Sequence, residues 1–293
     1  MPSSEGVRRA KAGDLPSVNS DASHHVDGVA GEHQTVYRMT VMSQTPRWFI
    51  TRPRVPRASM RLFCFPYAGG GATIYREWQR QLPVEIEVCM AQLPGRDSRI
   101  KETPFDDAGT MVAAIAEAIV PYLDRPFAFF GHSMGAVISF ELARLLRERG
   151  DASPKHLFVS GRAAPQLPDE CATTYDLPDP DFREELRRLK GTPAAVLEHP
   201  ELMELMMPLL RADFSAVETY AYRPGPPLAC PITAFSGAQD FDVSREQVEA
   251  WREQTVAAFD AHVMPGDHFF LNNPQTQALM LRVIALEVGR LIR

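Results

Sequence analysis

The sequence lacks two features that would direct its interpretation towards a membrane or a nucleic acid. It contains no apolar run long enough to cross a bilayer. Its 31 basic and 37 acidic residues give a formal net charge of −6, which argues against an enzyme that acts on nucleic acid. We therefore expect a soluble, cytoplasmic protein that binds neither a membrane nor nucleic acid.

Cysteine is scarce, and a phosphate-binding loop is absent. The four cysteines, Cys64, Cys89, Cys171 and Cys230, have no metal-site spacing. Three of them lie in or beside apolar runs, where a buried reduced thiol is the ordinary explanation. The glycine run at 69–71 is not closed by Gly-Lys-Ser or Gly-Lys-Thr, which excludes a phosphate loop. We predict no metal and no cofactor.

The first 45 residues show neither apolar periodicity nor the apolar core of a signal peptide. We interpret residues 1–45 as a disordered N-terminal extension. The folded domain is expected to span residues 58–293, a length that suits one large core with room for an insertion.

Strand-like and helical patterns alternate through that domain. Strands are predicted at 61–65, 86–90, 127–130, 156–161, 231–237 and 261–264. Helices are predicted near 74–81, 107–123, 136–149, 244–254 and 274–291. Such alternation indicates an α/β fold with a mostly parallel sheet that helices cover on both faces.

One segment, from about 164 to 229, interrupts the alternation. It carries proline turns and two helical patterns, at 181–189 and about 201–220. We interpret it as an inserted helical lid. Most of its methionine and leucine side chains should form core, but part of this adaptable surface should face the substrate, with Met206, Leu210 and Phe214 as candidates.

The pentapeptide Gly131-His132-Ser133-Met134-Gly135 is the most informative motif. It lies where the apolar run at 127–130 stops and a helical pattern begins, as in the strand-turn-helix corner called a nucleophile elbow. Small residues two positions on either side of the serine let neighbouring backbone pass closely. The motif therefore predicts that Ser133 is a nucleophile.

A serine hydroxyl needs a base and an acid that orients the base, and in this architecture they follow it in the order acid, then histidine. His268 lies on a loop after a predicted strand, and Asp240 comes first after the strand that ends at 237. Asp242 is better suited to a helix start and Asp267 to a turn. The predicted triad is Ser133, Asp240 and His268.

An oxyanion formed at the substrate carbonyl needs two backbone donors. The residue after the nucleophile, Met134, supplies one. The loop Pro66-Tyr67-Ala68-Gly69-Gly70-Gly71 follows an early buried strand, and its most plausible donor is the amide of Ala68.

Several motifs together resemble the type II thioesterases that accompany modular polyketide and nonribosomal peptide synthetases. The resemblance covers the chain from about Met60 onward and rests on Phe65-Pro66-Tyr67-Ala68-Gly69-Gly70, Gln92-Leu93-Pro94-Gly95-Arg96, the elbow, Leu210-Arg211-Ala212-Asp213-Phe214, Ser236-Gly237 leading to Asp240, and Gly266-Asp267-His268-Phe269-Phe270-Leu271. It implies an α/β-hydrolase that removes acyl or aminoacyl groups from the phosphopantetheine arm of carrier proteins. The substrate itself then carries the phosphopantetheine, the carrier protein is a transient partner, and we expect a monomer.

Some assignments stay open at this stage. Tyr67, Arg96 and Phe269 are further candidate substrate contacts, although a structural loop contact is an equal alternative for Arg96. The basic residues of the lid would attract an acidic carrier, but interleaved glutamates favour a solvated helix face. Other possible functions are a medium-chain thioesterase of fatty acid synthesis, a general carboxylesterase or lipase, and a catalytically silent binding module.

Overall fold

The computed structural model describes residues 47–51, 55–168 and 173–292. The predicted extension at 1–45 and Cys171 lie outside these ranges. The described residues belong to one compact unit. Within them, none of the helices is both long enough and apolar enough to span a bilayer.

A seven-stranded sheet forms the centre of the domain, with strand order β1-β3-β2-β4-β5-β6-β7. Only β1 is antiparallel to its neighbour. The strands are β1 (Phe49–Ile50), β2 (Met60–Phe65), β3 (Ile86–Ala91), β4 (Phe127–His132), β5 (Leu157–Ser160), β6 (Ile232–Gly237) and β7 (Phe259–Met264). The predicted mostly parallel sheet is confirmed, and its central strands are the apolar runs that a sheet buried on both faces requires.

Eight α-helices are described: α1 (Trp78–Gln81), α2 (Ala108–Ile119), α3 (Met134–Arg149), α4 (Asp179–Leu189), α5 (Ala194–Leu197), α6 (Pro200–Glu218), α7 (Arg245–Glu249) and α8 (Pro274–Ile292). Side chains of α2, α3 and α7 enter one apolar cluster with one face of the sheet. Side chains of α1 and α8 form a second cluster with the opposite face. Helices therefore cover both faces, as predicted.

Helices α4, α5 and α6 occupy the segment between β5 and β6. They enclose a small apolar cluster of their own, which contains Phe182, Leu186, Leu197, Met203, Met207 and Leu210. The other end of α6 joins the main core through Ala216. These three helices are thus a unit held to the domain through α6.

All parallel strands end at the same edge of the sheet, and this sets the position of the site. The loops that follow β2, β3, β4, β6 and β7 leave from that edge. In open α/β sheets, ligands bind at the carboxyl ends of the strands. Sequence-distant residues, one from each loop, therefore meet there.

Candidate active site

Ser133 lies in the sharp turn between β4 and α3, where its backbone is strained. Its φ of 52° and ψ of −112° fall outside the regions that a serine ordinarily adopts. The turn is held because the Ser133 amide donates to the Ser160 carbonyl oxygen at 2.8 Å. Strain of this kind persists where the surrounding structure fixes it, typically at functional sites.

Two glycines make this turn possible. A Cβ on Gly131 would lie 1.9 Å from the carbonyl oxygen of Gly135. A Cβ on Gly135 would lie 2.1 Å from the carbonyl oxygen of Phe65 in β2. Both contacts are with backbone, so a side chain at either position would displace the strand or the helix.

Asp240 and His268 meet across the ends of β6 and β7. His268 Nδ1 is 2.8 Å from Asp240 Oδ2, and the Asp240 side chain is fully buried. The other carboxylate oxygen, Oδ1, accepts from the amides of Asp242 at 3.0 Å and Val243 at 3.2 Å. Because both oxygens are engaged, the carboxylate has one orientation, and its bond to Nδ1 fixes the orientation of the imidazole ring.

The two loops that carry this pair are themselves joined. The Gln239 amide donates to the Gly266 carbonyl oxygen at 2.9 Å, and Gln239 Oε1 accepts from the Gly266 amide at 2.7 Å. A Cβ on Gly237 would lie 2.4 Å from the carbonyl oxygen of Asp267, which shows how closely the loops pack. The spacing of acid and histidine is therefore fixed by backbone.

The other acidic candidates face elsewhere. Asp242 Oδ1 accepts from Arg188 Nη1 of α4 at 2.9 Å. Asp267 Oδ1 accepts from the Phe269 amide at 3.0 Å, as a turn residue does. The start of α7 is capped by Ser244 rather than by Asp242, through a capping box with Gln247.

His132, the residue before the serine, is completely buried beside His268. The ring centroids of the two histidines are 5.2 Å apart. His132 Nδ1 is 2.8 Å from Ser160 Oγ, whereas Nε2 has no hydrogen-bond partner among the described residues. Burial, assisted by the nearby His268, holds the pKa of His132 well below its ordinary value. His132 therefore stays neutral and adds no second positive charge next to His268.

The loop after β2 forms a tight turn over the edge of the sheet. The Gly70 amide donates to the Tyr67 carbonyl oxygen at 2.9 Å, and Gly69 has a φ of 76°, as the third residue of a type II turn requires. The Gly69 amide donates to Asp213 Oδ2 at 2.7 Å. Within the described residues, the Ala68 amide donates no hydrogen bond. The amide of Met134, at the first position of α3, has no acceptor within that helix.

A buried ion pair lies beside this loop, and the pairing of its two residues was not predicted from the sequence. Arg96 Nη1 and Nη2 donate to Asp213 Oδ2 at 2.8 Å and to Oδ1 at 2.7 Å. The Arg96 side chain is 3% exposed and that of Asp213 is 0% exposed. The geometry favours the structural alternative for Arg96. The only signal for the pair in the sequence was that each residue lies in a motif shared with the resembled family.

A cavity of about 80 Å³ lies between the loop after β2 and the inserted helices. Two of the predicted substrate contacts, Met206 and Leu210, line it, together with Ala68, Gly69, Gly191, Thr192, Pro193 and Val196. A wider depression of about 420 Å³ between α1 and α8 contains none of the predicted site residues.

The remaining predicted contacts lie around this region. Phe269 lies against both His268 and Tyr67, with ring centroids 5.0 and 4.9 Å apart. The Tyr67 hydroxyl accepts from Asn272 Nδ2 at 3.3 Å, and burial raises the pKa of Tyr67. Phe214 packs edge-on against Phe182 inside the inserted unit. Across the described ranges, no group of three or more His, Cys, Asp and Glu side chains is arranged to hold a metal ion.

Comparison with known proteins identifies the family. The family model described as "Thioesterase domain" matches residues 60–285. The gramicidin S biosynthesis protein GrsT of Aneurinibacillus migulanus is 51% identical over 233 residues, which cover 80% of this chain and 91% of GrsT. Medium-chain thioesterases of fatty acid synthase are more distant relatives, at 31–34% identity.

Solved structures agree. The thioesterase RedJ of the prodiginine pathway in Streptomyces coelicolor is 42% identical with a TM-score of 0.75, over 80% of this chain and 87% of RedJ. The type II thioesterase BorB from the borrelidin biosynthetic cluster is 36% identical with a TM-score of 0.76, over 86% of this chain and 100% of BorB.

This chain belongs to the thioesterase family, and its structural neighbours include type II thioesterases, one of them from a nonribosomal peptide and polyketide pathway. Members of the family are hydrolases that act on thioesters. The family resemblance and the α/β-hydrolase fold inferred from the sequence are therefore confirmed.

Proposed function

We propose that this enzyme hydrolyses acyl or aminoacyl groups from the phosphopantetheine arm of carrier proteins, through an acyl-serine on Ser133. The observation that carries the chemistry is the 2.8 Å pairing of His268 with a buried, fully hydrogen-bonded Asp240 at the edge where the strained Ser133 turn lies. The family relationship supports the thioester as substrate.

In the first half of the reaction, His268 Nε2 takes the hydroxyl proton of Ser133 as the serine oxygen attacks the thioester carbonyl. Asp240 accepts a hydrogen bond from the Nδ1–H of His268, which fixes the tautomer and stabilises the imidazolium. His268 then gives its proton to the departing phosphopantetheine thiol, which leaves the acyl-serine. In the second half, His268 activates a water molecule that releases the acid and restores Ser133.

We assign the two oxyanion donors to the amides of Ala68 and Met134. The neighbouring amides in the turn are engaged, since Gly69 donates to Asp213 and Gly70 donates to Tyr67. Peptide planarity supports Ala68 as well: the Tyr67 carbonyl points into the turn, so the Ala68 N–H of the same trans peptide points out of it.

The inserted unit, α4 to α6, is proposed to act as the lid over Ser133, and the cavity it shares with Ala68 as the acyl pocket. Met206, Leu210 and Val196 line this cavity, so an acyl chain placed there would contact apolar side chains.

The first experiment compares one acyl group presented as a carrier-protein thioester, as an N-acetylcysteamine thioester and as the matching oxygen ester. We expect kcat/KM to be highest for the carrier-bound form. A preference for the oxygen ester with no benefit from the carrier would instead make this protein a general esterase.

Two serine variants test the nucleophile. Ser133→Ala should abolish turnover and labelling by a fluorophosphonate probe. The control is Ser139→Ala, which removes a buried hydroxyl from α3 that bonds only to the Ala136 carbonyl oxygen and should leave turnover intact. Retention of more than a few per cent of activity in Ser133→Ala would remove Ser133 from this role.

A further inference from the structure

The structure assigns a positioning role to the buried Arg96–Asp213 pair. The pair fixes the oxyanion loop, residues 66–71 after β2, and links that loop to α6. This inference rests on the function proposed above, because it concerns the Ala68 amide as an oxyanion donor. Arg96 and Asp213 act through that loop and are positioning residues.

The pair holds the turn from both sides. Asp213 Oδ2 accepts from the Gly69 amide at 2.7 Å, and Arg96 Nη1 donates to the Gly70 carbonyl oxygen at 2.9 Å. The pair therefore binds the backbone of both Gly69 and Gly70, the last two residues of the turn that carries Ala68. The central peptide of a β-turn, here between Ala68 and Gly69, can adopt two orientations. Because Asp213 accepts from the Gly69 amide, it selects the orientation in which Gly69 has a positive φ.

Every charged atom of the pair is satisfied. Arg96 Nε donates to the Pro94 carbonyl oxygen at 3.2 Å, and the two remaining nitrogens bond to Asp213 and Gly70. A buried network of this kind is rigid when complete and costly when one member is lost. It joins three segments that are far apart in sequence.

Packing strengthens the link to α6. A Cβ on Gly69 would lie 2.6 Å from Leu210 Cδ2, and a Cβ on Gly95 would lie 3.3 Å from Leu209 Cδ1. One turn of α6 therefore contacts both loops, and Asp213 on the next turn binds them. The seating of α6 thus sets the position of the Ala68 amide, so that the oxyanion site is complete only when this helix is docked.

Stability alone does not account for such a pair, because well-packed apolar residues of similar volume often stabilise a core equally well. This provides the test. The double variant Arg96→Met/Asp213→Leu removes both charges together and leaves neither uncompensated, but it also removes the acceptor for Gly69 and the donor for Gly70. The matched control is Arg61→Met/Glu87→Leu, a buried pair 2.9 Å apart at the opposite edge of the sheet, where Arg61 also pairs with Asp124 and donates to the Tyr122 carbonyl oxygen.

Melting temperature, kcat, KM and two inhibitor affinities would be measured for both double variants. An acyl trifluoromethyl ketone forms a tetrahedral adduct that occupies the oxyanion site, whereas the matching methyl ketone reports ground-state binding. Loss of one oxyanion donor costs about 100- to 1,000-fold in kcat. We expect Arg96→Met/Asp213→Leu to lose about that factor in kcat and in trifluoromethyl ketone affinity, with KM and methyl ketone affinity nearly unchanged. The control should retain kcat, KM and both inhibitor affinities, whatever its melting temperature.

A folded Arg96→Met/Asp213→Leu variant with unchanged kcat and trifluoromethyl ketone affinity would overturn the inference. If that variant does not fold, Arg96→Lys provides the test, since lysine keeps the charge but not the planar fork of the guanidinium. Unchanged trifluoromethyl ketone affinity in Arg96→Lys would also overturn the inference. A wild-type enzyme that binds the trifluoromethyl ketone but prefers oxygen esters would refute the proposed substrate and leave the positioning role standing. A wild type that forms no adduct would refute both.

Discussion

His268 Nδ1 and Asp240 Oδ2 are 2.8 Å apart, and the neighbouring carboxylate of Asp242 instead pairs with Arg188 of α4. Replacement of Asp240 by Asn should therefore disrupt the tautomer of His268 and lower kcat by about 10⁴-fold, as loss of the orienting acid does in serine triads. Asp242→Asn, the matched control, should retain most of the activity. Steady-state kinetics with one thioester would check both. A large loss in Asp242→Asn and a small one in Asp240→Asn would reverse the assignment.

Gly131→Ala should prevent folding, because the added Cβ would lie 1.9 Å from a backbone oxygen that cannot move away. Gly150→Ala is the comparison: this glycine has a positive φ, of 74°, and an added Cβ would meet no atom within 4 Å. We expect Gly150→Ala to fold and to lose about 1 kcal/mol in the free energy of unfolding. Yield of folded protein and denaturant unfolding would distinguish the two. Equal losses would mean that small backbone shifts relieve the overlap at Gly131 and that it does not prevent folding.

Met206→Ala should enlarge the cavity beside Ala68 and shift the preferred acyl length upward. One methylene that gains a fitting pocket changes kcat/KM by about 10-fold or more. The measurement is kcat/KM across a series of straight-chain acyl thioesters. Leu205→Ala is the control, because that side chain is exposed on the same helix. An unchanged profile in Met206→Ala would place the acyl chain elsewhere.

The free energy of unfolding should fall as the pH is lowered from about 6.5 to about 4. Burial lowers the pKa of His156 from 6.5 to about 4, so the unfolded chain binds a proton in this window that the folded protein excludes. The loss for one such group is at most about 1.4 kcal/mol for each pH unit. His132, whose pKa is lowered in the same direction, adds to the effect.

His156→Gln isolates this contribution, because glutamine has no proton to take up. Denaturant unfolding at several pH values should give a shallower pH dependence for the variant than for the wild type. Parallel curves would exclude His156 as a source of the acid sensitivity. The variant also loses the contact between His156 Nε2 and Thr233 Oγ1 at 2.8 Å, so the slopes and not the absolute values are compared.

Much of this molecule could be predicted from local sequence patterns. The six parallel strands are apolar runs bounded by turn residues, and each lies within two residues of its predicted bounds. The elbow was recognisable because Gly131 and Gly135 are required by steric contact, which depends little on the remote fold. By contrast, β1 (Phe49–Ile50) has two residues and no pattern of its own, and α5 (Ala194–Leu197) is a single turn.

Other features could not be predicted because they depend on contacts between distant segments. Asp213 pairs with Arg96, which lies 117 residues away, and it accepts from the amide of Gly69, which lies 144 residues away. Periodicity and motif spacing are local properties of the sequence and give no information about such long-range contacts. The assignment of roles at the predicted triad, oxyanion and substrate positions stays a prediction until the variants above are measured.

Strand β1 has a consequence for where a shortened chain can begin. Its two residues pair with Met90 and Ala91, and the Phe49 ring packs against those of Phe63, Phe65 and Tyr122. A chain cut back to Met60 would keep every proposed catalytic residue, yet it would uncover the backbone groups of Met90 and Ala91 that β1 pairs. Such an edge is a template for a strand from another molecule. We therefore expect the shortest chain that stays monodisperse to begin upstream of Phe49, although every proposed catalytic residue lies downstream of Met60.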